Sequence, residues 1–274
     1  VGAGLAELLY PSSTGILWLC LGAGTGVILI SLLDDVRGVS PIYRLLAHLS
    51  SAVLLLVVLG YGDLLVLLLL LLYVVWMTNL YNFMDGMDGF AGGMALLGFG
   101  TFALLGLQAG HIPFALACAL IATAAAGFLV CNFPPARIFM GDTGAATLGF
   151  LMAAFSLEAH RTDLFSLLVA VLVFSPFIVD ATATLLIRLF RRERVWLPHR
   201  SHFYQRLVQL GWSQRRTVLV EYLLMIGCGL SALLVAREPL VVQGGVLALW
   251  LSLYGLLGLL VGYLERVEIK ALNS

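Results

Sequence analysis

Long apolar runs recur along almost the whole chain, and they restrict its fold more than any other feature. Residues 64–77, for example, consist almost entirely of Leu, Val, Tyr and Trp. A helix needs roughly 20 apolar residues to cross the hydrocarbon core of a bilayer. Hydrophobic residues make up 61% of the 274 residues and charged residues only 11%, which excludes an ordinary soluble domain. We therefore predict an all-α, polytopic transmembrane bundle that forms one domain over residues 1–274.

The basic residues between the apolar runs predict how this bundle is oriented. If the loop after the first run is cytoplasmic, 13 Arg and Lys residues lie on that side, and only Arg161 and Arg237 lie on the other. The positive-inside rule favours this topology, which places every unusual polar cluster on the cytoplasmic face. We count nine predicted spans: residues 14–33, 43–60, 64–81, 90–107, 112–130, 144–159, 164–187, 217–236 and 241–262.

The sharpest break in the apolar pattern follows the third predicted span. Asn79, Asn82, Asp85 and Asp88 occur at every third position, and a glycine directly follows each aspartate. On a continuous helix these side chains would drift slowly around one side, so their oxygens would converge on a volume that suits a hard cation or a phosphate. The glycines would end the helix and let backbone amides approach a ligand. A polar loop with capping residues is the alternative, but the complete string favours a site.

Two further carboxylate motifs lie at predicted helix ends. Asp34 and Asp35 are adjacent and repel each other, so one could cap a helix or pair with Arg37, while the other needs a metal or a proton-bearing substrate. Asp142 lies between two glycines at the start of an apolar helix. It could be a simple N-cap, but a helix N-terminus also attracts phosphates and their metal ions.

Asp180 lies near the end of the seventh predicted span. A carboxylate within a membrane segment is a functional candidate. A structural ion pair with Arg188 is an equally good interpretation, and the sequence leaves both open.

The longest polar segment, residues 188–216, contains eight arginines. Within it, His199, Arg200 and His202 precede the aromatic residues Phe203 and Tyr204. Guanidinium groups for phosphate, imidazoles for hydrogen bonds and rings for stacking suit a nucleotide. A basic loop that rests on acidic lipid headgroups would explain the arginines but not the histidines.

The cysteines and the net charge exclude other classes of protein. The net charge of zero argues against a nucleic-acid binder. The cysteines lie in apolar segments without metal-ligand spacing, which predicts buried thiols rather than disulfides or a zinc site. They are Cys20, Cys118, Cys131 and Cys228.

Taken in order, these motifs resemble those of the polyprenyl-phosphate N-acetylhexosamine-1-phosphate transferases, the superfamily of the MraY and WecA enzymes. Four stretches carry the resemblance: residues 34–35, 79–92, 141–144 and 199–202. Ala145 stands where the family usually has Ser, and the family's upstream Pro-Arg-Gly-Gly motif is absent. Family members have ten or eleven spans and this chain begins at Val1, so we expect N-terminal sequence to be missing.

The resemblance implies the chemistry and the partners. Such enzymes use Mg²⁺, for which Mn²⁺ can substitute, to transfer a HexNAc-1-phosphate from a UDP-sugar to undecaprenyl phosphate, and they release UMP. The motifs look most like the branch that initiates O-antigen and related polysaccharides, whereas peptidoglycan or teichoic-acid synthesis is an alternative. The resemblance also implies the bacterial inner membrane, with the site facing the cytoplasm, and allows a homodimer.

Residue roles follow from the resemblance and from the need to neutralise two phosphates before they join. Mg²⁺ prefers oxygen ligands and retains several waters, so we expect Asp142 to be its principal ligand, supported by Asp85 and Asp88. Asp34 or Asp35 would act as the base toward the lipid phosphate, although a covalent phospho-aspartate stays open. Substrate-binding roles are expected for Arg44, Asn79, Asn82, His199, Arg200 and His202.

A transporter or flippase of lipid-linked sugars is the rival hypothesis from another functional class. Transporters also carry aspartates within the membrane and glycine-rich helices, but they place polar residues near the midplane in corresponding positions of two repeats. Here the polar clusters fall at one face, and the sequence shows no internal repeat. The pattern therefore favours the enzyme.

Overall fold

The computed structural model describes residues 15–194, 197 and 199–272, and it confirms an all-α fold with no strand in those ranges. The expectation about sequence before Val1 falls outside the described residues, as do positions 195, 196 and 198 of the long polar segment. The described helices are α1 (Gly15–Arg37), α2 (Pro41–Val58), α3 (Leu64–Met84), α4 (Phe90–Gln108), α5 (Ile112–Asn132), α6 (Gly141–Arg161), α7 (Leu167–Val173), α8 (Ser175–Phe190), α9 (Phe203–Gln209), α10 (Gln214–Val235) and α11 (Leu240–Leu272).

Six helices of the described ranges are long and apolar enough to cross a membrane: α2, α3, α4, α5, α10 and α11. The number becomes seven if the bent pair of α7 and α8 is counted as one span. The predicted spans at residues 14–33 and 144–159 correspond to α1 and α6, which are not among these six helices. The fold class is thus confirmed, whereas the count of nine spans and the orientation stay predictions.

The predicted span over residues 164–187 is not one continuous helix but a bent pair of helices. The chain breaks at Phe174, and α7 and α8 meet at an angle of 80°. Pro176 lies in the first turn of α8. Proline has no backbone N–H and its ring clashes with the preceding turn, so a helix cannot pass straight through this position.

Aromatic rings fill the core around this break. The ring centroid of Phe102, on the deeply buried helix α4, lies 5.3 Å from that of Phe174 and 5.1 Å from that of Phe165. Phe99 packs edge-on against Phe174 at 6.0 Å. Around α4, helices α5 and α10 form close contacts, and α6 packs against α1 and α3. This packing brings the ends of α1, α3 and α5 to the start of α6.

The prediction of buried thiols is confirmed for three of the four cysteines, and all four are unpaired. Cys20, Cys118 and Cys228 are buried, whereas Cys131 is partly exposed.

Candidate functional site

The first turn of α6 is held by a side chain from α1. Asp35 Oδ1 accepts a hydrogen bond from the Asp142 N–H at 2.9 Å, and Oδ2 accepts from the Thr143 N–H at 3.0 Å and from its hydroxyl at 2.6 Å. The first amides of a helix lack partners within the helix, so a carboxylate satisfies them well. Burial alone would raise the pKa of Asp35, but the hydrogen bonds from Thr143 and Asp142 lower it overall. Asp35 is therefore an ionised cap that fixes the position of Asp142.

Arg44 joins the other aspartate of the pair to the same helix turn. Its Nη1 donates to Asp34 Oδ2 at 2.6 Å and to Asp142 Oδ2 at 2.9 Å. Asp34 thus pairs with Arg44 rather than with Arg37. Burial raises the pKa of Asp34, but the Val39 N–H and the Arg44 guanidinium outweigh it and lower the pKa.

The pKa of Asp142 moves in the opposite direction to that of Asp34. Burial raises it, and the neighbouring Asp34 carboxylate raises it further, against the lowering effects of Asn82 and Arg44. Asp34 and Asp142 therefore share one arginine, whose positive charge does not fully balance the negative charge of the Asp142 carboxylate.

The helix does not continue through residues 79–88, and the polar side chains are brought together in another way. Helix α3 ends at Met84, and Asp85 is its C-cap residue with φ −84° and ψ 45°. Asn79 lies in the helix, where its Nδ2 donates to the Val75 carbonyl at 2.7 Å. Asp88 lies in the turn between α3 and α4. This turn ends at Gly89, whose backbone is left-handed (φ 76°) and which directly precedes α4. The helix thus ends just before Gly86, as the glycines predict, and the turn up to Gly89 reverses the chain.

This turn nevertheless brings three of the four polar residues together. Asn82, Asp85 and Asp88 line a cavity of about 380 Å³ with Asp142, which we call the carboxylate cavity. Asn79 is not among its lining residues. Residues that are more than 50 positions apart in the sequence thus line the same cavity.

Charge is poorly balanced in the carboxylate cavity. Burial, followed by the nearby negative charge of Asp142, raises the pKa of Asp85 to about 7. Carboxylates that share a volume cannot all ionise freely unless a cation is present. A bound cation would therefore stabilise the ionised carboxylates of the cavity at neutral pH.

Asn132 and Tyr222 hold the turn in place, and sequence reasoning did not identify either of them. Asn132 Oδ1 accepts from the Gly89 N–H at 2.9 Å and its Nδ2 donates to the Ile138 carbonyl at 2.8 Å. The Tyr222 hydroxyl donates to the Gly89 carbonyl at 2.6 Å. Asn132 is buried, so its hydrogen bonds fix the backbone firmly. The signal available in the sequence was a single amide at the end of an apolar run.

Asp88 is tied to the loop that follows α5. Its Oδ2 accepts a hydrogen bond from the Ala136 N–H at 2.9 Å. One carboxylate oxygen is thereby committed to the protein backbone, and the other is left for a ligand.

Asp180 organises the histidine segment. Its carboxylate lies 3.1 Å from His202 Nδ1 and accepts from the N–H groups of Phe203 and Tyr204 at 3.1 and 3.3 Å. It therefore supplies the N-terminal cap of α9. The alternative of an ion pair with Arg188 is wrong, because that guanidinium donates instead to Glu193 and to backbone carbonyls.

Helix α9 packs directly on the turn that carries the aspartates. The ring of Tyr204 lies 4.6 Å from that of Phe90 and stacks with His202 at 5.8 Å. A side chain at Gly86 would collide with the Tyr204 hydroxyl and approach Gln205 Nε2. The histidine segment and the carboxylate cavity are therefore neighbours.

His199 and Arg200 take different positions around α9. His199 Nδ1 lies 2.9 Å from Ser201 Oγ. Burial, with the nearby His202 and Arg188, lowers the pKa of His199 to about 4, so its imidazole is neutral at pH 7. The Arg200 side chain is exposed and lines a separate groove beside α8 and α11.

The residues present can hold a hard cation only with help from a ligand. Within the described ranges, no group of three or more His, Cys, Asp or Glu residues is arranged to hold a metal. Arg44 engages Asp142, and Ala136 engages Asp88, so the three expected ligands do not form a ready cage. Mg²⁺ is commonly held by one or two carboxylates plus waters and substrate phosphates. The oxygen donors and the raised pKa of Asp85 fit such a site.

Comparison with known proteins supports the resemblance. The chain is 31% identical over 166 residues to a probable undecaprenyl-phosphate N-acetylglucosaminyl 1-phosphate transferase of Bacillus subtilis, a match covering 60% of this chain and 44% of that protein. It is 35% identical over 126 residues to a decaprenyl-phosphate N-acetylglucosaminephosphotransferase of Mycobacterium tuberculosis, covering 41% and 31%. It is 32% identical over 143 residues to a phospho-N-acetylmuramoyl-pentapeptide-transferase of Latilactobacillus sakei, covering 52% and 43%.

The matched parts thus span less than half the length of these three relatives. The profile of glycosyl transferase family 4 matches residues 17–160, which include Asp34, Arg44, Asp85 and Asp142. The chain therefore belongs to glycosyl transferase family 4, within the superfamily of the MraY and WecA enzymes.

Proposed function

We propose that the protein transfers a HexNAc-1-phosphate from a UDP-sugar to undecaprenyl phosphate, forming an undecaprenyl-pyrophosphoryl sugar and releasing UMP. The relatives are named as transferases that act on polyprenyl phosphates or on phospho-N-acetylmuramoyl-pentapeptide. Among these reactions we favour the start of O-antigen or related polysaccharide synthesis, at the cytoplasmic face of a bacterial inner membrane.

One observation carries the proposal: the carboxylate cavity adjoins an apolar groove. This groove, of about 560 Å³, is lined by α1, α5 and the start of α6, including Thr143 and Gly144. Met140 lines both the groove and the carboxylate cavity. A polyprenyl chain in the groove would bring its phosphate to the charged turn of α6. This arrangement would explain why a reaction of a soluble nucleotide is built into a membrane protein.

Arg44 and Asp34 would bind the lipid phosphate and remove its proton. Arg44 is partly exposed and already binds two carboxylates, so an incoming phosphate could take over one of its hydrogen bonds. Asp34 would act as the base once the phosphate has taken over its hydrogen bond from Arg44, since Asp35 is occupied by three hydrogen bonds from α6. We assign Asp35 to positioning Asp142.

Asp142 and Asp85 would hold Mg²⁺, with one oxygen of Asp88 in support. The ion would supply the positive charge that brings two phosphate groups together. Asn82, which lines the cavity, would bind the substrate beside these carboxylates, and Asn79 would act from within α3.

The histidine segment would bind the nucleotide of the UDP-sugar. Neutral His199 can exchange hydrogen bonds with the uridine or the phosphates, and His202 is fixed by Asp180. Arg200 would contribute only long-range positive charge, because its side chain lines a different groove.

The test is UMP release by the purified chain in detergent, with UDP-N-acetylglucosamine and undecaprenyl phosphate, with and without Mg²⁺. We expect release that needs both substrates and Mg²⁺.

Asp142→Asn should abolish UMP release while the protein stays folded, because the change removes the charge but keeps the size of the side chain. Asp163→Asn is the matched control, since Asp163 is exposed on the α6–α7 connection. If Asp142→Asn kept normal UMP release with unchanged Mg²⁺ dependence, the assignment would be wrong. Transbilayer movement of lipid-linked sugar without UMP release would favour the transporter.

A further inference from the structure

A second polar cavity lies outside the proposed active site. It is an open groove of about 640 Å³ between α8, α9 and α11, which we call the basic groove. Arg191, at the end of α8, interacts electrostatically with Glu265, near the end of α11. The charged ends of the two helices therefore lie together. The rest of the groove is lined by apolar residues, among them Ile187 and Leu251.

The charges in the basic groove do not cancel. Two ion pairs account for two of its four arginines: Arg188 with Glu193, and Arg206 with Glu265. The remaining two, Arg191 and Arg200, form no side-chain hydrogen bond or ion pair within the described part of the chain. Both side chains are exposed. The groove thus carries two more positive than negative side chains, an excess that favours an anion.

The apolar wall distinguishes this groove from a site for a soluble anion. Leu251 and Leu259 of α11 are 48% and 73% exposed, so this wall is open. A Cβ atom placed on Gly255 would meet nothing within 4 Å, which shows free space along the helix. A ligand with a charged head and an apolar tail would match both parts of the groove.

We propose that the basic groove binds one anionic membrane phospholipid. Its headgroup phosphate would lie between Arg191 and Arg200, and an acyl chain would follow the wall formed by α8 and α11. Basic pockets between membrane helices bind anionic headgroups through this combination of charge and apolar contact. The proposal does not rest on the proposed reaction: no residue of the carboxylate cavity takes part in it, and Arg200 would bind the headgroup whether or not its charge also acts on a nucleotide.

The test is native mass spectrometry of the purified full chain, titrated with phosphatidylglycerol or with phosphatidylcholine of the same acyl chains. We expect saturable binding of one phosphatidylglycerol and weaker binding of phosphatidylcholine. Arg191→Gln should weaken phosphatidylglycerol binding about fivefold, the effect of one basic residue near an anionic headgroup. Gly255→Leu should block the acyl-chain path and abolish phosphatidylglycerol binding.

Two matched variants serve as controls. Arg192→Gln removes the same charge from the adjacent exposed position outside the groove, and Gly245→Leu adds the same side chain to open space elsewhere on α11. Neither should change binding. Equal effects of Arg191→Gln and Arg192→Gln would refute the proposal, as would equal binding of the two lipids. Displacement of phosphatidylglycerol by millimolar inorganic phosphate would assign the site to a soluble anion instead. Circular dichroism of each variant checks that the helices are intact.

Discussion

Replacing Asp180 by Asn should release the histidine segment from the membrane helices. The carboxylate accepts four hydrogen bonds, from Thr184, His202, and the amides of Phe203 and Tyr204, and its side chain is only 11% exposed. A hydrogen bond to a charged group contributes about 1.5–3 kcal/mol. An asparagine oxygen can keep some of these bonds without the charge, so we expect a loss of roughly 2–4 kcal/mol at the start of α9.

Hydrogen–deuterium exchange measures this loss locally. The amides of Phe203 and Tyr204 should exchange roughly 30- to 1,000-fold faster, because local opening becomes easier by that free energy. Asp163→Asn, at an exposed residue without a side-chain hydrogen bond in the described ranges, should leave their exchange unchanged. Unchanged exchange in Asp180→Asn would show that the cap does not hold α9, and the physical link between the two parts of the site would be lost.

Three further predictions concern the carboxylate cavity. Because the pKa of Asp85 is raised to about 7, the stability that its neutral form contributes is present below pH 4 and is lost as pH rises through 7. Asp85→Asn should therefore stabilise the metal-free protein by roughly 2–4 kcal/mol at pH 8 but not at pH 4, as measured by thermal unfolding at both pH values. Asn132→Ala should cost about 2–3 kcal/mol, because it leaves the buried Gly89 N–H and the partly buried Ile138 carbonyl without their partner, and the melting temperature should fall. Gly86→Ala should lower the free energy of unfolding by about 1–3 kcal/mol through overpacking. A second change, Tyr204→Phe, should recover part of that free energy, because it removes the hydroxyl that the new methyl group meets. Additive losses of stability in the double mutant would refute the contact.

The apolar runs predict most of the helices because each run must satisfy its backbone inside a membrane, and only a helix does so within one segment. The break at Phe174 has a local cause, Pro176, but its angle depends on packing with Phe99 and Phe102 that no local pattern encodes. The turn after Asp85 likewise depends on contacts between distant residues. The final path of that turn is set by Asn132 and Tyr222, which are distant in sequence.

For the candidate site, the sequence identifies the chemical groups better than their partners. The sequence predicts different partners for Asp34 and Asp35 but not which residue takes which, and tertiary contacts decide this: Asp34 binds Arg44 and Asp35 caps α6. Asp180 reads as either an active carboxylate or a partner of Arg188, whereas it caps the short helix α9. Such differences depend on which elements meet in three dimensions.

The two parts of the proposed site are joined by side-chain packing rather than by chain continuity. The family match ends at residue 160, and α9 lies beyond it, yet Tyr204 reaches back to Phe90 and Gly86. A ligand that draws α9 toward the turn would therefore also act on the backbone beside Asp85. Nucleotide binding by the histidine segment and cation binding by the carboxylates should accordingly be linked, each raising the affinity of the other by the same factor. UDP binding measured with and without Mg²⁺ tests this, and equal affinities would mean that the two parts act independently.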